Sequence, residues 1–227
     1  MFVGHLAVGM AAKKLAPRTS LGTLLLAAQM ADVVWPVLVL TGVEHVRVAP
    51  GITAVTPFDF YDYPFSHSLL MDVAWAGLFA GAYFAVRRYG RGAWVLFATV
   101  VSHWVLDWVS HRPDMPLAPG TSARYGLGLW SSIPLTLVVE GGMWIAGIAV
   151  YLGATKAKDW AGTQGFWPMI VLLTAMWLGA IFGPAPPNGR AAAWSALSMV
   201  VIFAWGYWVD GHRVARQGFT TGRASSS

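Results

Sequence analysis

Three residues near the middle of the chain have the types and spacing of a metal site. His103, Asp107 and His111 follow one another at intervals of four residues. On an α-helix this spacing places all three along one stripe about 80° wide. Imidazole nitrogen and carboxylate oxygen together suit zinc or another first-row divalent ion. The alternative explanation of the stripe is a purely structural polar seam between two helices.

Four acids, including Asp107, lie in or beside apolar segments that contain no Lys or Arg in their interior. They are Asp32, Asp72, Asp107 and Glu140. A carboxylate near the bilayer centre costs about 2.5–3.5 kcal/mol on insertion scales, so a proton or a cation must neutralise it. Counted along their helices, His5 and His67 reach depths compatible with Asp32 and His103. The neutral imidazoles favour a cation, and we expect Asp107 to be a bridging or direct ligand.

The composition excludes an ordinary cytosolic enzyme. Apolar residues make up 56% of the 227 residues and charged residues 11%, whereas soluble domains carry roughly a quarter charged residues. The chain has no Cys, which excludes disulfides and thiolate zinc sites. The net charge of +5 comes from basic clusters between apolar runs, as in membrane proteins. Nucleic acid is therefore not an expected partner, and membrane lipids are.

The apolar runs predict an all-α, polytopic helical membrane protein with six full transmembrane helices. Each run is close to the roughly 20 residues that cross the hydrocarbon layer. The six runs are 21–42, 68–86, 92–109, 133–152, 165–182 and 191–209. A shorter run at 2–12 predicts an N-terminal half-span helix. Pro36 cannot donate to the carbonyl of Asp32, which predicts a bend beside that acid.

The basic residues predict the orientation. Alternating spans place eleven of the 15 Lys and Arg residues on one side of the membrane and four on the other. The positive-inside rule assigns the first side to the cytoplasm. The smaller group consists of Arg47, Arg112, Arg124 and Arg190. We therefore expect a multi-pass protein of the plasma (inner) membrane with a cytoplasmic C-terminus and with loops 43–66 and 110–131 outside.

Several motifs resemble the YdjM-type inner-membrane metal-dependent hydrolases. They are YPFSHSL at 63–69, SHWVLDWVSHRPDMPLAPG at 102–120, GLGLW at 126–130, GH at 4–5 and the acid at 32. The resemblance covers roughly residues 1–152. That family is itself thought to be distantly similar to zinc-dependent phospholipase C and S1/P1 nucleases. The chain has one HxxxD element and no clear later HxxxE element, so one or two ions are expected rather than three.

The resemblance implies a set of metal ligands and a hydrolytic function. The ligands would be His5, Asp32, His67, His103 and Asp107, with His111 and Glu140 as further candidates. Glu140 or Asp32 would take the proton from an attacking water. Arg112 and Arg124 would hold an anionic headgroup, unless they are ordinary interfacial anchors. The predicted activity is metal-dependent hydrolysis of a phosphoester or lipid-linked substrate near the outer leaflet.

The predicted organisation has three parts, and two other functions remain open. Residues 1–152 form the helical core with the metal site, residues 153–210 add two transmembrane helices, and residues 211–227 form a cytoplasmic tail that is disordered at its end. The alternatives are a proton- or metal-ion transporter using the same His/Asp cluster, and a non-catalytic scaffold stapled by metal.

Overall fold

The structure is a computed structural model that describes residues 1–216. The chain is mostly helical. The helices are α1 (Val3–Leu15), α2 (Leu21–Ala28), α3 (Met30–Leu40), α4 (Pro64–His67), α5 (Leu69–Arg87), α6 (Gly90–Ser110), α7 (Ile133–Ala154), α8 (Trp160–Gln164), α9 (Phe166–Phe182), α10 (Gly189–Ser198) and α11 (Val200–Gly211). The predicted disorder at the end of the 211–227 tail and the predicted cytoplasmic side of Arg223 both concern residues outside the described part of the chain.

Five helical segments are long and apolar enough to cross a membrane. They are α5, α6, α7, the segment Trp160–Phe182 and the segment Gly189–Gly211, and α2 with α3 makes a sixth if the bent pair counts as one span. Large apolar side chains cover their outer faces: Trp94 is 74% exposed and Val138 is 71% exposed. Such surfaces are favourable against lipid and unfavourable in water. The fold is therefore compatible with a multi-pass helical membrane protein.

The bend in the first apolar run lies at Gln29, seven residues before Pro36. Gln29 has φ −110° and ψ 18°, and the axes of α2 and α3 differ by 58°. Pro36 lies inside α3, where the helix continues through it. The predicted bend beside Asp32 exists, but it lies three residues before that acid, and its assignment to Pro36 was wrong. The break puts Asp32 in the first turn of α3, where the exposed amides of a helix start favour a negative charge.

Helix α1 is a buried element at the centre of the bundle. Val3, Leu6 and Met10 are completely buried, and the helix packs on α7, α2 and α6. Its approach to α7 is very close, because a Cβ atom on Gly147 would lie 2.6 Å from the Cα of Ala7. At about 1.5 Å per residue, its 13 residues are about 20 Å long, too short to span the hydrocarbon layer. This helix carries His5 into the interior.

Short strands close the loops at both ends of the bundle. The strands are β1 (His45–Val48), β2 (Phe58–Asp62), β3 (Met115–Pro116), β4 (Arg124–Tyr125), β5 (Thr155–Ala157) and β6 (Arg213–Ala215). They pair antiparallel as β1–β2, β3–β4 and β5–β6, so residues 1–216 contain three two-stranded sheets besides the helices. The first part of the predicted tail is thus a paired strand, in which Arg213 donates to the carbonyl of Gly162 at 2.7 Å.

Candidate metal centre

Asp107 lies at the centre of a buried group of imidazoles. Its Oδ2 is 3.1 Å from Nε2 of His103 and 3.8 Å from Nε2 of His67. Its Oδ1 is 2.9 Å from Nε2 of His5 and 3.9 Å from Nε2 of His111. The Asp107 side chain is 3% exposed. The two oxygens of one carboxylate therefore face two different pairs of histidines.

Asp32 joins this group from the other side. Its Oδ1 is 3.4 Å from Nε2 of His67, and its Oδ2 is 3.8 Å from Nε2 of His103. Two sets of three residues can each hold a metal ion, since their ligand atoms lie within 4.8 Å of one another. They are His5, His103 and Asp107, and Asp32, His67 and His103. The described residues thus contain a buried His/Asp group suited to metal, in which His103 is shared.

The six predicted metal residues come from five separate segments. His5 is on α1, Asp32 on α3, His67 at the end of α4, and His103 and Asp107 on α6. The predicted stripe requires His111 to lie on the same helix as His103 and Asp107, and the structure does not place it there. Helix α6 ends at Ser110, and His111 follows it with extended backbone, φ −69° and ψ 151°. Its ring still reaches the group, because the backbone N–H of His111 donates to the carbonyl of Asp107 at 2.7 Å.

The break between α2 and α3 also orients His103. Nδ1 of His103 lies 2.8 Å from the backbone oxygen of Ala28, the last residue of α2. The carbonyls at a helix end lack partners within the helix and are free to accept. A carbonyl only accepts, so Nδ1 carries a proton, and in the neutral form of the ring Nε2 then presents its lone pair. In the described structure this Nε2 is buried without a hydrogen-bond partner.

A Glu44–Ser66 pair orients His67 in the same way. Oγ of Ser66 donates to Oε2 of Glu44 at 2.6 Å and lies 2.7 Å from Nδ1 of His67. Because the hydroxyl proton goes to the carboxylate, the hydroxyl oxygen accepts from Nδ1–H. Glu44 also accepts from the backbone N–H groups of Phe65 and Ser66 at 2.7 and 2.8 Å. Nε2 of His67 is then left with its lone pair toward Asp32.

Asp114 and Tyr63 orient His111. Nδ1 of His111 lies 3.0 Å from Oδ1 of Asp114, and the hydroxyl of Tyr63 donates to the same oxygen at 3.0 Å. Burial, and then the neighbouring Asp114 charge, holds the pKa of Tyr63 well above its usual value, so the phenol keeps its proton. Three of the four rings therefore give Nδ1–H to an acceptor and turn Nε2 toward Asp107.

His5 differs from the other three rings. It stacks on His103 with ring centroids 3.7 Å apart and planes inclined by 4°. Its Nδ1 is buried without a hydrogen-bond partner in the described structure, and its Nε2 faces Asp107. The amino nitrogen of Met1 lies 3.0 Å from that Nε2 and also contacts the Asp107 carboxylate.

Glu140 lies beside the His/Asp group (hereafter the metal group) and belongs to neither of the two sets of three possible metal ligands. It is 1% exposed, its Oε2 accepts from the backbone N–H of Phe2 at 2.9 Å, and its Oε1 accepts from Nε1 of Trp130 at 3.2 Å. Asp72 is also buried, but it accepts from the backbone N–H of Trp104 and belongs to neither set. Glu140 is thus an acid that lies near the His/Asp group and belongs to neither set of three metal-binding residues.

The structure does not bring the two predicted headgroup residues to this site. The guanidinium of Arg112 pairs with Asp59 and lies 3.2 Å from Oδ2 of Asp114. Arg124 is exposed and donates to the backbone carbonyls of Thr121 and Ala123. Within residues 1–216, neither arginine lines the cavity beside the metal group. Arg112 instead helps to hold Asp114, and through it His111.

Sequence reasoning missed Glu44, Ser66, Tyr63 and Asp114. Each lies in a loop or a short helix outside the apolar runs, where polar residues are ordinary. One pattern does mark Glu44 in hindsight: Pro64 begins a helix with its first amides in need of an acceptor, and Glu44 supplies it. A sequence does not show which distant carboxylate fills that place.

A cavity of about 520 Å³ opens beside the metal group. Asp32, His67, Asp107, His111 and Glu140 line one end of it. The remaining walls are mostly apolar side chains of α3, α9 and α10, together with residues 55–58 of the β1–β2 hairpin. Residues from the predicted additional helices 153–210 thus share this cavity with the metal group. No Lys or Arg is among the described residues that line it.

Comparison of the chain with known protein families, with curated proteins and with solved structures gives no match.

Proposed function

We propose that the His/Asp group binds one or two divalent metal ions, with zinc the best fit, and that the protein is a membrane-embedded metal-dependent hydrolase. The ligands would be His5, Asp32, His67, His103, Asp107 and His111. One contact carries the proposal: Nε2 of His103 lies 3.1 Å from Oδ2 of Asp107 while its Nδ1–H is engaged elsewhere. Two lone pairs facing each other in a buried site repel unless a metal ion or a proton lies between them. These two atoms make no hydrogen bond in the described structure, which favours the metal ion.

The orientation of the other rings supports the same conclusion. In metal sites, ligating histidines give their second ring N–H to a carboxylate, a carbonyl or a hydroxyl, which fixes the tautomer. His67, His103 and His111 all have such a partner on Nδ1. A merely structural polar seam has no need to turn every Nε2 toward the same carboxylate.

A divalent ion held there would polarise a phosphoryl or acyl oxygen and make a water molecule more acidic. Glu140 is the group that we assign to take the proton from that water, since it lines the cavity and stays outside the metal sets. Its carboxylate is held from both sides, by the N–H of Phe2 and by Trp130. Asp32 is the second candidate for this role, and its side chain is 36% exposed.

The substrate proposed is a phosphoester or a lipid-linked ester near the outer leaflet of the plasma (inner) membrane. This placement uses six crossings, with α2 and α3 as one bent span, the short α1 buried among them, and the C-terminus in the cytoplasm. The basic loops support the orientation. The resemblance to YdjM-type hydrolases agrees with this activity and remains part of the proposal.

Metal analysis of the purified protein tests the proposal first. We expect about one or two zinc ions per chain, lost in His103→Ala, which removes the residue common to both sets, and kept in His45→Ala, whose exposed ring pairs with Asp62 away from the site. Phosphomonoesters, phosphodiesters and lipid-linked phosphates are then screened for turnover that a chelator abolishes. Metal-free wild-type protein contradicts the proposal. If the protein turns over no substrate but carries ions into liposomes, the hydrolase proposal is wrong and the alternative function, an ion transporter, takes its place.

A further inference from the structure

The cavity beside the metal group has a second, apolar part between α9 and α10. The C-terminal half of α9 forms one wall and α10 forms the other. Many of the lining side chains are small, which leaves space between the two helices. The small ones are Gly179, Ala180, Ala192, Ser195 and Ala196, and the larger Trp177 also lines this part. This part of the cavity is continuous with the end that holds Asp107 and Glu140.

The apolar part opens sideways on the surface of the bundle. Gly179, Ala180 and Ser195 line the cavity and are also exposed. Gly179 lies three residues before the end of α9, about 5 Å along the helix axis, and Ser195 lies about 9 Å from the start of α10. Both positions are within segments apolar enough to cross a membrane. The exposed residues that line the cavity also include residues 183–185, in the turn that follows α9. The opening therefore extends from the end of α9 into the depth that the bilayer hydrocarbon covers.

The two ends of the cavity differ in chemistry. Carboxylates and imidazoles converge at one end, while the walls toward the opening are aliphatic, aromatic or small. The volume of about 520 Å³ lies within the about 300–1,000 Å³ of small-molecule sites. A fully water-soluble substrate would leave the apolar walls without a partner. A molecule with a polar ester at one end and hydrocarbon at the other matches both ends.

We propose that the opening between α9 and α10 admits a hydrocarbon chain of a membrane lipid and holds it along α10, with the ester or phosphoester group of that lipid at the His/Asp group. The role of the polar end rests on the proposed hydrolase function. Binding of the chain itself requires neither metal nor turnover. The substrate class is thus a lipid that enters from within the bilayer.

Photolabelling tests the proposal directly. The full-length protein is reconstituted into phosphatidylcholine vesicles with a small share of phosphatidic acid that carries a diazirine half-way along one acyl chain. After irradiation, the modified residues are identified by mass spectrometry. We expect adducts on the buried, inward-facing Trp177 and Met199, which lipid around the bundle does not reach. The labelling is repeated after treatment with chelator, and the same adducts are expected.

Two substitutions of identical chemistry on α9 provide the control. Ala180→Phe fills the opening, and the inward adducts should fall about tenfold, as for overfilling a packed site. Ala175→Phe lies on the same helix at an exposed position that does not line the cavity, and it should leave them unchanged. Ser195→Phe repeats the block from the opposite wall. Equal inward labelling in all variants overturns the proposal.

The outcomes separate this proposal from the proposed function. Wild-type adducts confined to outward residues such as Val171 and Val201 overturn the chain site, even when the protein binds metal and hydrolyses a soluble phosphoester. If adducts form on the inward-facing residues of a protein that binds no metal, the lipid-chain site is supported and the proposed metal-dependent hydrolase is contradicted. Competition by unlabelled phosphatidic acid or by unlabelled polyprenyl phosphate distinguishes an acyl chain from an isoprenoid chain.

Discussion

The hydroxyl of Ser66 lies 2.7 Å from Nδ1 of the neighbouring His67, between that ring and the carboxylate of Glu44. The serine hydroxyl donates its proton to the carboxylate of Glu44, so its oxygen must accept from the ring. His67 therefore keeps its proton on Nδ1. Nε2 is the atom that this arrangement makes available to a metal. A carboxylate in the loop after α3 thus sets the tautomer of a histidine in the candidate metal centre.

Ser66→Ala should weaken metal binding by about 10–100-fold, the usual cost of removing a group that orients a ligand. Zinc affinity is measured by competition titration, and ¹⁵N spectra of the imidazoles report the tautomer of His67. Ser68→Ala is the matched control, because Ser68 caps α5 and makes no contact with a ring nitrogen. Equal affinity in the two variants would mean that Ser66 has only a structural role.

Substitutions at the two metal sets should change the metal content differently. His103 belongs to both sets, so His103→Ala should lose all bound metal. Asp32→Asn should lose metal only from the set with His67 and retain an ion at His5, His103 and Asp107. The ratio of metal to protein is measured by inductively coupled plasma mass spectrometry. Asp62→Asn, in the exposed β1–β2 hairpin, is the control. Full metal content in His103→Ala argues against both sets.

Glu140→Gln should separate turnover from metal binding. The amide keeps the shape of the side chain and cannot take a proton, so turnover should fall by about 10²–10⁴-fold while metal content stays the same. Trp130→Phe removes the N–H that holds Oε1 and reduces the ring that packs on His111, but it leaves the carboxylate in place, so its effect on turnover should be smaller. Metal loss in Glu140→Gln would instead make Glu140 a ligand.

Gly147→Ala should displace α1 and destabilise the protein. The new Cβ would lie 2.6 Å from backbone atoms of Ala7, so the helices must move apart, at a cost of about 1–3 kcal/mol. Because His5 is on α1, weaker metal binding should accompany the lower unfolding temperature. Gly142→Ala is on the same helix, with nothing within 4 Å of its Cβ, and should be neutral or slightly stabilising. Similar unfolding temperatures would contradict the packing argument.

The bend in the first span shows why a helix break is difficult to place from sequence. Pro36 is the residue that marks a bend locally, but α3 continues through it and the chain breaks at Gln29. The break there is accompanied by a tertiary contact, since the freed carbonyl of Ala28 accepts from His103. That partner is 75 residues away in the chain. No local pattern contains this information.

His111 illustrates the same limit at the end of a helix. The spacing of four residues predicts a third position on the α6 stripe, yet α6 ends one residue earlier. Contacts from the following loop accompany this end: the N–H of Leu127 donates to the carbonyl of Trp108, and the N–H of Gly128 to the carbonyl of His111. The residue types of the site were predictable, whereas the backbone at this position was not.

The sequence by itself determined the membrane segments and the acids and histidines suited to metal, because the thickness of the hydrocarbon and the cost of a buried charge act on local composition. The tertiary structure alone decided which nitrogen of these rings faces Asp107, since that depends on acceptors such as Ser66, Ala28 and Asp114. It also decided that α9 and α10 form an apolar chamber beside the metal group. Gly, Ala and Ser side chains create such a space by leaving volume empty, and their role depends on what lies opposite them.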